Sequence, residues 1–329
     1  MSDPWDSIDT VKIAVVDWKL HSQNRELLKK QINDAARTLG FFVLINHPID
    51  KNLIDGSFQL AKDVFAQPAA EKEKYEMGTT GNYFGYKAPR KMPGANNGDH
   101  NEMYNISKDL LRDPVAAQNQ LRPLVDAYPK TKAFAEECHS LVCDILKICA
   151  EVLEIPKEAG GANYLLSRHR FEAKSGDQIR LLQYPPPPPE FEKNELLFAH
   201  TDYGSVTLLF TQSVGGLQIC DPEDKQWRYV RPLDGSIIVN LGDAVQHWTK
   251  GYWRSNLHRV TAPPAFQRHM TRHSVVYFAR PEDAVVLERI PSPFIPEDTV
   301  EEKQRKITAE EWIKARVLYG VTGQQQSYL

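Results

Sequence analysis

The sequence lacks three features that would indicate its class of protein directly: a surplus of one charge, paired cysteines and long apolar runs. Its 329 residues carry 40 Lys and Arg against 43 Asp and Glu, a formal net charge of -3. A chain balanced in this way has no basic surface for nucleic acid or for an anionic membrane. No apolar run approaches the roughly 20 residues that cross a bilayer. We therefore expect a small molecule as the ligand, with no nucleic-acid partner and no membrane partner.

Cysteine is scarce and its spacing forms no motif. The four cysteines are Cys138, Cys143, Cys149 and Cys220, and none belongs to a C-x-x-C pair, which argues against a disulfide framework. We expect reduced thiols that are mostly buried. The first residues, M-S-D-P-W-D-S, lack the basic and apolar regions of a signal peptide. We therefore expect a cytoplasmic protein.

Hydrophobic spacing predicts helices at both ends of the chain. Apolar residues recur three and four positions apart within residues 24–40, 51–66 and 131–153, and Gly40 closes the first of these helices. Thr308 and Glu311 form a capping box before a last helix. Short β-branched or aromatic runs at residues 11–17 and 41–48 predict strands.

The middle of the chain reads differently. From about residue 178 to residue 290, short β-branched and aromatic runs alternate with Gly, Pro and Asp, as in I-R-L-L-Q-Y, S-V-T-L-L-F and S-I-I-V-N-L. Several short strands at this spacing predict an antiparallel sandwich or barrel. The run Pro185 to Pro189 sits inside this region, so we interpret it as a stiff connection rather than as a ligand for a partner module.

One short stretch in this region, F-A-H-T-D-Y-G-S at residues 198–205, raises a chemical question. On a strand, positions i and i+2 point to the same side, so His200 and Asp202 would offer an imidazole and a carboxylate to one point. His258 follows 56 positions after Asp202 in a second strand-like run. Two histidines and one carboxylate on one face of a metal form the triad of non-haem Fe(II) oxygenases. His247 lies in a predicted turn or short helix and is not chosen as a ligand.

Arg272 and Ser274 form a second signature, because they share a strand face by the same period of two. A guanidinium and a hydroxyl side by side would hold a carboxylate inside a barrel. Tyr184 ends an earlier strand and can offer its phenol to the same carboxylate. Arg268 is a competitor for this role, but its next-but-one neighbour is Met270 rather than a hydroxyl, so we favour Arg272.

Taken in order, these motifs resemble the Fe(II)/2-oxoglutarate-dependent dioxygenases of the isopenicillin N synthase-like family. The likeness extends to D-G-S-I-I-V-N-L-G-D before the last histidine and to G-F-F-V-L-I-N-H near the N-terminus. It implies a mainly β fold with flanking helices, a distorted double-stranded β-helix or jelly roll. It also implies Fe(II) held by His200, Asp202 and His258, with 2-oxoglutarate held by Arg272, Ser274 and Tyr184 and O2 as the oxidant.

The expected organisation is one compact unit with two parts. Residues 1–150 would form an N-terminal helical and strand region packed on the core, and residues 151–329 would form the jelly-roll core with a C-terminal helix. Two positions depart from the family pattern. Leu182 replaces the Asn common two residues before the tyrosine, and Pro48 replaces the usual Gly after N-H. A monomer and a homodimer both stay open.

Substrate contacts are predicted from the inward face of the strand that ends at Tyr184. Arg180 and Gln178 alternate onto that face, and a buried guanidinium calls for an anion or a polar partner. The substrate would then be acidic or enolic; a structural salt bridge is the other reading of Arg180. Four aromatic residues in the preceding loop-rich stretch are further candidates: Tyr83, Phe84, Tyr86 and Tyr104.

Three functions follow, in decreasing agreement with the motifs. The first is an Fe(II)- and 2-oxoglutarate-dependent oxygenase that oxidises an unactivated C–H bond of a small molecule, with secondary-metabolite biosynthesis as the expected setting and hydroxylation, desaturation or ring rearrangement as the outcome. The second is a non-haem iron oxidase that does without 2-oxoglutarate. The third is a zinc hydrolase on the same three ligands, in which Arg272, Ser274 and Tyr184 would share no task. A non-catalytic binding protein would need none of the six residues.

Overall fold

The fold is described from a computed structural model, which covers residues 3–78, 83–89, 100–187, 195–304 and 306–322, with side chains up to Val317. No helix within these ranges is long and apolar enough to cross a membrane. Because one described range ends at residue 187, the run Pro185 to Pro189 lies only partly within the described residues.

Twelve strands are present in the described part of the chain. They are β1 (Ala14–Asp17), β2 (Phe41–Ile45), β3 (Gly85–Lys87), β4 (Glu102–Ser107), β5 (Gln178–Tyr184), β6 (Glu195–His200), β7 (Val206–Thr211), β8 (Leu217–Cys220), β9 (Trp227–Tyr229), β10 (Ile237–Leu241), β11 (His258–Thr261) and β12 (Arg272–Ala279).

The α-helices are α1 (Leu20–Gln23), α2 (Arg25–Thr38), α3 (Lys51–Phe65), α4 (Ala69–Lys72), α5 (Lys108–Arg112), α6 (Pro114–Ala117), α7 (Arg122–Asp126), α8 (Tyr128–Val152), α9 (Asp243–Trp248) and α10 (Ala309–Thr322). Short 3-10 helices lie at Pro4–Ser7, Glu73–Tyr75, Lys157–Ala159, Gly161–Asn163, Leu166–Arg168, Ala265–Gln267 and Glu302–Gln304.

The predicted elements are present, with shifted ends. Asn24 caps α2 by accepting a hydrogen bond from the amide of Leu27, and Gly40 ends the turn after the helix with a φ of 76°. The predicted capping box forms, because the amide of Thr308 donates to the Glu311 carboxylate and the amide of Glu311 donates to the Thr308 hydroxyl. The first predicted strand is shorter than residues 11–17, since regular pairing with β2 begins at Ala14.

The strands form two sheets. One has eight strands in the order β1-β2-β10-β7-β12-β5-β4-β3, and the other has four in the order β6-β11-β8-β9. All pairs within them are antiparallel except β1 with β2. Strands that are neighbours in a sheet are mostly not consecutive in the sequence, so the connections pass from one sheet to the other, as in a jelly roll.

Strand periodicity gives the large sheet two different faces. On one face Leu181, Val275 and Tyr277 join the main hydrophobic core with residues of α3 and α8. On the other, Leu182, Tyr184 and Val276 pack with residues of β6 and β11 from the small sheet. Because β5 pairs with β12 from Arg272 opposite Tyr184 to Phe278 opposite Gln178, polar residues at alternate positions of both strands face the same space. That space is the candidate site.

Candidate active site

A cavity lies between the two sheets, and the predicted iron and 2-oxoglutarate residues all line it. They are His200, Asp202, His258, Arg272, Ser274 and Tyr184. Arg180 lines the same cavity. The structure thus brings together residues that lie up to 94 positions apart in the sequence (274 minus 180).

The strongest feature of the cavity is a cluster of three potential metal ligands. His200 ends β6, His258 begins β11, and the two residues are paired across these strands. The nearest carboxylate oxygen of Asp202, Oδ1, lies 4.0 Å from Nε2 of His200 and 3.8 Å from Nε2 of His258. One ligand atom from each residue falls within 4.8 Å of the others, so the three could hold one metal ion.

The other oxygen of Asp202 is already occupied. Its Oδ2 atom accepts hydrogen bonds of 2.7 Å from the hydroxyl of Thr207 and of 2.7 Å from the amide of Asn240. Both donors come from neighbouring strands of the large sheet, β7 and β10. The carboxylate is therefore held in one orientation, with Oδ1 directed towards the two imidazoles. Burial opposes ionisation, but His258, His200 and these two donors outweigh it and lower the pKa of Asp202.

Both imidazoles are oriented through their other ring nitrogen. Nδ1 of His200 lies 2.8 Å from the carbonyl of Phe198, and Nδ1 of His258 lies 3.2 Å from the carbonyl of Asn256. A carbonyl only accepts, so Nδ1 carries the proton and Nε2 presents its lone pair to the centre. Burial, and then the neighbouring His258, lower the pKa of His200 to about 4. The ring is therefore neutral near pH 7, as a metal ligand must be.

The donor set fits an iron of the facial-triad type. Two imidazoles and one carboxylate converge on one point and leave the rest of the cavity for other ligands. A closed structural zinc site would need a fourth protein ligand, usually a thiolate, and no further His, Cys, Asp or Glu joins this group among the described residues.

Arg272 presents a second, independent sign of a missing partner. Its side chain is only 2% exposed, yet no carboxylate pairs with it within the described ranges, and its Nε has no hydrogen-bond partner. It donates to Ser274 Oγ at 3.2 Å, and the Tyr184 ring centre lies 5.1 Å from its guanidinium carbon. Burial lowers the pKa of Arg272 while Tyr184 raises it. An unpaired buried cation costs several kcal/mol, so this arrangement suits a bound carboxylate.

Arg180 is held differently. Its Nε donates to Asn105 Oδ1 at 2.8 Å, and its guanidinium lies 4.8 Å from the ring centre of Phe278. Burial, and then the neighbouring Arg280, lower the pKa of Arg180 to about 10. No carboxylate forms an ion pair with it in the described part of the chain, so the reading of Arg180 as half of a structural salt bridge finds no partner there.

The remaining predicted substrate residues divide into two groups. Gln178 lies on the cavity-facing side of β5 but beyond the cavity lining. It is fully buried, and neither polar atom of its side chain has a hydrogen-bond partner among the described residues. Asn105, which accepts a hydrogen bond from Arg180, also donates to the carbonyl of Tyr83 at 2.6 Å. The Tyr83 ring lies 4.8 Å from the Arg280 guanidinium and 4.5 Å from the ring of Phe84. Tyr83 and Phe84 therefore lie near Arg180 without lining the cavity.

Tyr86 and Tyr104 do not lie where the sequence analysis expected substrate-contacting residues. Both belong to the core on the helix-covered face of the large sheet, because Tyr104 pairs with Leu181, and Tyr86 with Tyr104. Tyr86 donates to Glu102 at 3.0 Å and Tyr104 to Gln120 at 3.1 Å. They face away from the metal cluster and cannot contact a ligand in the cavity. Arg268 likewise does not line the cavity, which agrees with the choice of Arg272.

Sequence reasoning missed the residues that hold the candidate ligands. Thr207 and Asn240 lie within predicted strands, and the sequence analysis gave them no role. A polar side chain inside an otherwise apolar strand nevertheless requires a buried partner, which was the available signal. Asn105, which orients Arg180, was likewise overlooked. Their partners depend on the pairing of distant strands, which local spacing does not reveal.

Comparisons with known proteins identify the family of the chain. Residues 176–281 match the family model of the 2OG-Fe(II) oxygenase superfamily, and residues 13–125 match the model described as "non-haem dioxygenase in morphine synthesis N-terminal". The 1-aminocyclopropane-1-carboxylate oxidase of Persea americana is 34% identical over 87% of this chain and 83% of its own. The 2-oxoglutarate-dependent dioxygenase htyE of Aspergillus rugulosus is 29% identical over 82% of this chain and 86% of its own.

A solved structure shows the same architecture. A full-length protein of Neurospora crassa, solved in complex with alpha-KG, superposes with a TM-score of 0.79 at 27% identity, covering 94% of this chain and 99% of that one. The fold and the cavity thus define a jelly-roll iron oxygenase. The chain belongs to the 2OG-Fe(II) oxygenase superfamily and is a 2-oxoglutarate-dependent dioxygenase, with Fe(II), 2-oxoglutarate and O2 as its cofactor and cosubstrates.

Proposed function

We propose that His200, Asp202 and His258 bind the iron and that Arg272, Ser274 and Tyr184 bind the distal carboxylate of 2-oxoglutarate. The observation that carries this assignment is the convergence of an open three-ligand cluster and an unpaired buried arginine in one cavity. When bound, iron and 2-oxoglutarate supply the oxidant by reductive activation of O2, with succinate and CO2 as the other products.

The protein's own residues do the positioning. Thr207 and Asn240 fix the Asp202 carboxylate, and backbone carbonyls fix both imidazoles. Arg272 and Ser274 would orient the cosubstrate by charge-assisted hydrogen bonds. The C–H bond that is oxidised is then decided by how the substrate is held.

For the substrate we propose a small acidic or enolic molecule, with Arg180 as its anchor. Arg180 lines the cavity near Asp202, its Nε is oriented by Asn105, and its terminal nitrogens have no acceptor among the described residues. Phe278, beside it, offers an apolar ring surface. A carboxylate, an enolate or a deprotonated imide would satisfy Arg180, with the attached ring or chain against Phe278.

One solved relative gives this substrate class some support. The same Neurospora crassa protein has also been solved with alpha-KG and thymine, and thymine is a small ring with polar carbonyls and an acidic N–H. We propose the same chemical type of substrate here, in secondary-metabolite biosynthesis. The secondary-metabolite setting is carried over from the expectation drawn from the sequence.

The cofactor assignment is tested anaerobically and then in air. Protein loaded with Fe(II) should develop a charge-transfer absorption band with 2-oxoglutarate, and admission of O2 should yield succinate. His258→Ala should lose both signals. Arg268→Met serves as the control, because Arg268 does not line the cavity. A wild-type protein that binds neither Fe(II) nor 2-oxoglutarate would contradict the assignment.

The substrate assignment is tested by stimulation of 2-oxoglutarate turnover. A panel of small aromatic acids, enols and cyclic imides is compared with their neutral methyl esters, methyl ethers and N-methyl derivatives. We expect only the ionisable members to accelerate succinate formation, and Arg180→Met to abolish the acceleration while Arg180→Lys keeps part of it. Equal stimulation by charged and neutral members would contradict the role of Arg180.

A further inference from the structure

The C-terminal helix is connected to both neighbours of the candidate ligand Asp202, to Tyr203 directly and to Thr201 through Asp243. From α10, the indole N–H of Trp312 donates to the carbonyl of Tyr203 at 3.1 Å. One turn further along the helix, Arg316 donates to the carboxylate of Asp243. The same Asp243 oxygen accepts a 2.9 Å hydrogen bond from the hydroxyl of Thr201.

These contacts form a continuous connection to the metal cluster. Asp243 also binds the segment 201–203 through its backbone, because its amide donates to the carbonyl of Asp202 at 2.7 Å. Trp312 and Asp243 are nearly fully buried, at 4% and 5% exposed. The Arg316 guanidinium lies 4.3 Å from the Trp312 ring centre, so the two helix residues support each other.

The helix itself is fixed to the rest of the fold at its start. The amide of Leu287 donates to the carbonyl of Ile307, and the amide of Ala309 donates to the carbonyl of Val285. The capping box between Thr308 and Glu311 then sets the direction of the first turn. Trp312 and Arg316 are therefore presented from a rigid platform, as a positioning role requires.

We infer that Trp312 and Arg316 are positioning residues that hold the segment 200–203 in its metal-binding conformation; this inference rests on the proposed iron site. Holding both flanks of Asp202 keeps its Oδ1 towards the histidines. The C-terminal helix thereby contributes to the conformation of the proposed iron site.

The test uses conservative variants of the full chain. Trp312→Phe keeps the ring and removes the N–H, Arg316→Met removes the charge, Arg316→Lys keeps it, and Thr201→Val removes the hydroxyl at constant shape. Lys314→Met is the matched control on the same helix, since Lys314 is solvent-exposed and its one ion pair among the described residues is with Glu310. The primary readout is the rate at which Fe(II) passes from the anaerobic protein to a chelator, with the 2-oxoglutarate charge-transfer band as the second.

We expect Arg316→Met, Thr201→Val and Trp312→Phe each to release Fe(II) about tenfold faster, as loss of one hydrogen bond of about 1.4 kcal/mol would cause. Arg316→Lys should recover part of the loss, and the charge-transfer band should shift or broaden in the affected variants. The double variant Arg316→Met with Thr201→Val should fall short of the product of the single effects, because both act through Asp243.

Release rates within twofold of Lys314→Met, whether or not the melting temperature falls, would overturn the inference and leave these residues with a structural role only. Trp312→Phe and Arg316→Lys retain most of the packing, so this comparison does not depend on variants that fail to fold. A wild-type protein that holds no Fe(II) would instead refute the proposed iron site, and the inference with it.

Discussion

At the scale of single residues, the site depends on polar groups that are buried and directed. Asp202 has one oxygen tied by Thr207 and Asn240 and the other facing the histidines. Period-two alternation was sufficient to predict that Arg272 and Ser274 share a face. His200 and Asp202 also converge as predicted, although β6 ends at His200 and Asp202 lies in the loop after it. Alternation did not give the correct position of Tyr104. It predicts that successive residues point to opposite faces of a sheet, but it does not predict which of the two faces contacts the ligand.

Arg272 should control affinity for 2-oxoglutarate. We expect Arg272→Met to raise the KM for 2-oxoglutarate about 10- to 150-fold, because a charge-assisted hydrogen bond is worth about 1.5–3 kcal/mol. Arg272→Lys should recover part of this but not all, since an ammonium cannot form a bidentate pair. Initial rates of succinate formation against 2-oxoglutarate concentration measure the effect. A KM as low as that of Arg268→Met would show that the carboxylate binds elsewhere.

His169 should make the protein sensitive to acid. Burial lowers the pKa of His169 from 6.5 to about 4, while Nδ1 bonds the carbonyl of Leu165 and Nε2 the hydroxyl of Ser205. Between these pH values the unfolded chain binds more protons than the folded one, so stability falls as pH falls from 6.5 towards 4. This residue contributes a slope of up to about 1.4 kcal/mol per pH unit.

The variant His169→Gln isolates that contribution. Other histidines with lowered pKa values, such as His273 and His247, affect both proteins equally, so the difference in slope belongs to position 169. Urea unfolding of the metal-free proteins at several pH values should show a shallower acid loss in the variant, even if it is less stable at pH 7.5. Parallel curves would mean that His169 is not buried in its neutral form.

At the scale of elements, the local sequence predicted correctly which segments form helices and which form strands. It predicted the residues at which they begin and end less accurately. The helix at residues 24–40 and the capping box at Thr308 appear because apolar spacing and caps act within a few residues. Sheet order is different: β10 joins β2 and β7, which requires knowledge of long-range pairing. For the same reason the contact of α10 with the loop at Tyr203 had no sequence signal, although the helix itself was predicted.

The turn from α2 into β2 should tolerate no side chain at its glycine. Gly40 has a φ of 76°, and an added Cβ would run into the backbone carbonyl of Arg254. Gly235 also has a positive φ, of 66°, but has open space around it. We expect Gly235→Ala to cost about 1–2 kcal/mol from backbone strain alone, and Gly40→Ala clearly more.

Urea unfolding of both glycine variants checks this difference. The gap between their free energies of unfolding reports the collision with Arg254, since strain is common to both. Equal losses would mean that the backbone near Arg254 moves aside without cost.

At the scale of the whole molecule, we propose that residues 1–150 and 151–329 form one cooperative unit, as the sequence suggested. The strand β2 from the first part pairs with β10 from the second. Helices α3 and α8 from the first part cover β5 or β12 from the second. One hydrophobic core therefore draws on both parts, and neither would retain its buried surface alone.

Calorimetry of the full chain should accordingly show a single unfolding transition. The measurement is made on metal-free protein, so that ligand binding does not merge separate transitions. We expect the calorimetric and van't Hoff enthalpies to agree. Two resolved transitions, or a calorimetric enthalpy well above the van't Hoff value, would show that the two parts unfold separately.

The central claim is that one cavity holds iron on His200, Asp202 and His258 and 2-oxoglutarate on Arg272, Ser274 and Tyr184. The most direct test is a crystal structure of the protein grown anaerobically with Fe(II) and 2-oxoglutarate, with anomalous scattering used to locate the iron. We predict iron bonded to Nε2 of both histidines and to Oδ1 of Asp202, with the distal carboxylate paired to Arg272. Iron on other residues, or 2-oxoglutarate away from Arg272, would contradict the account.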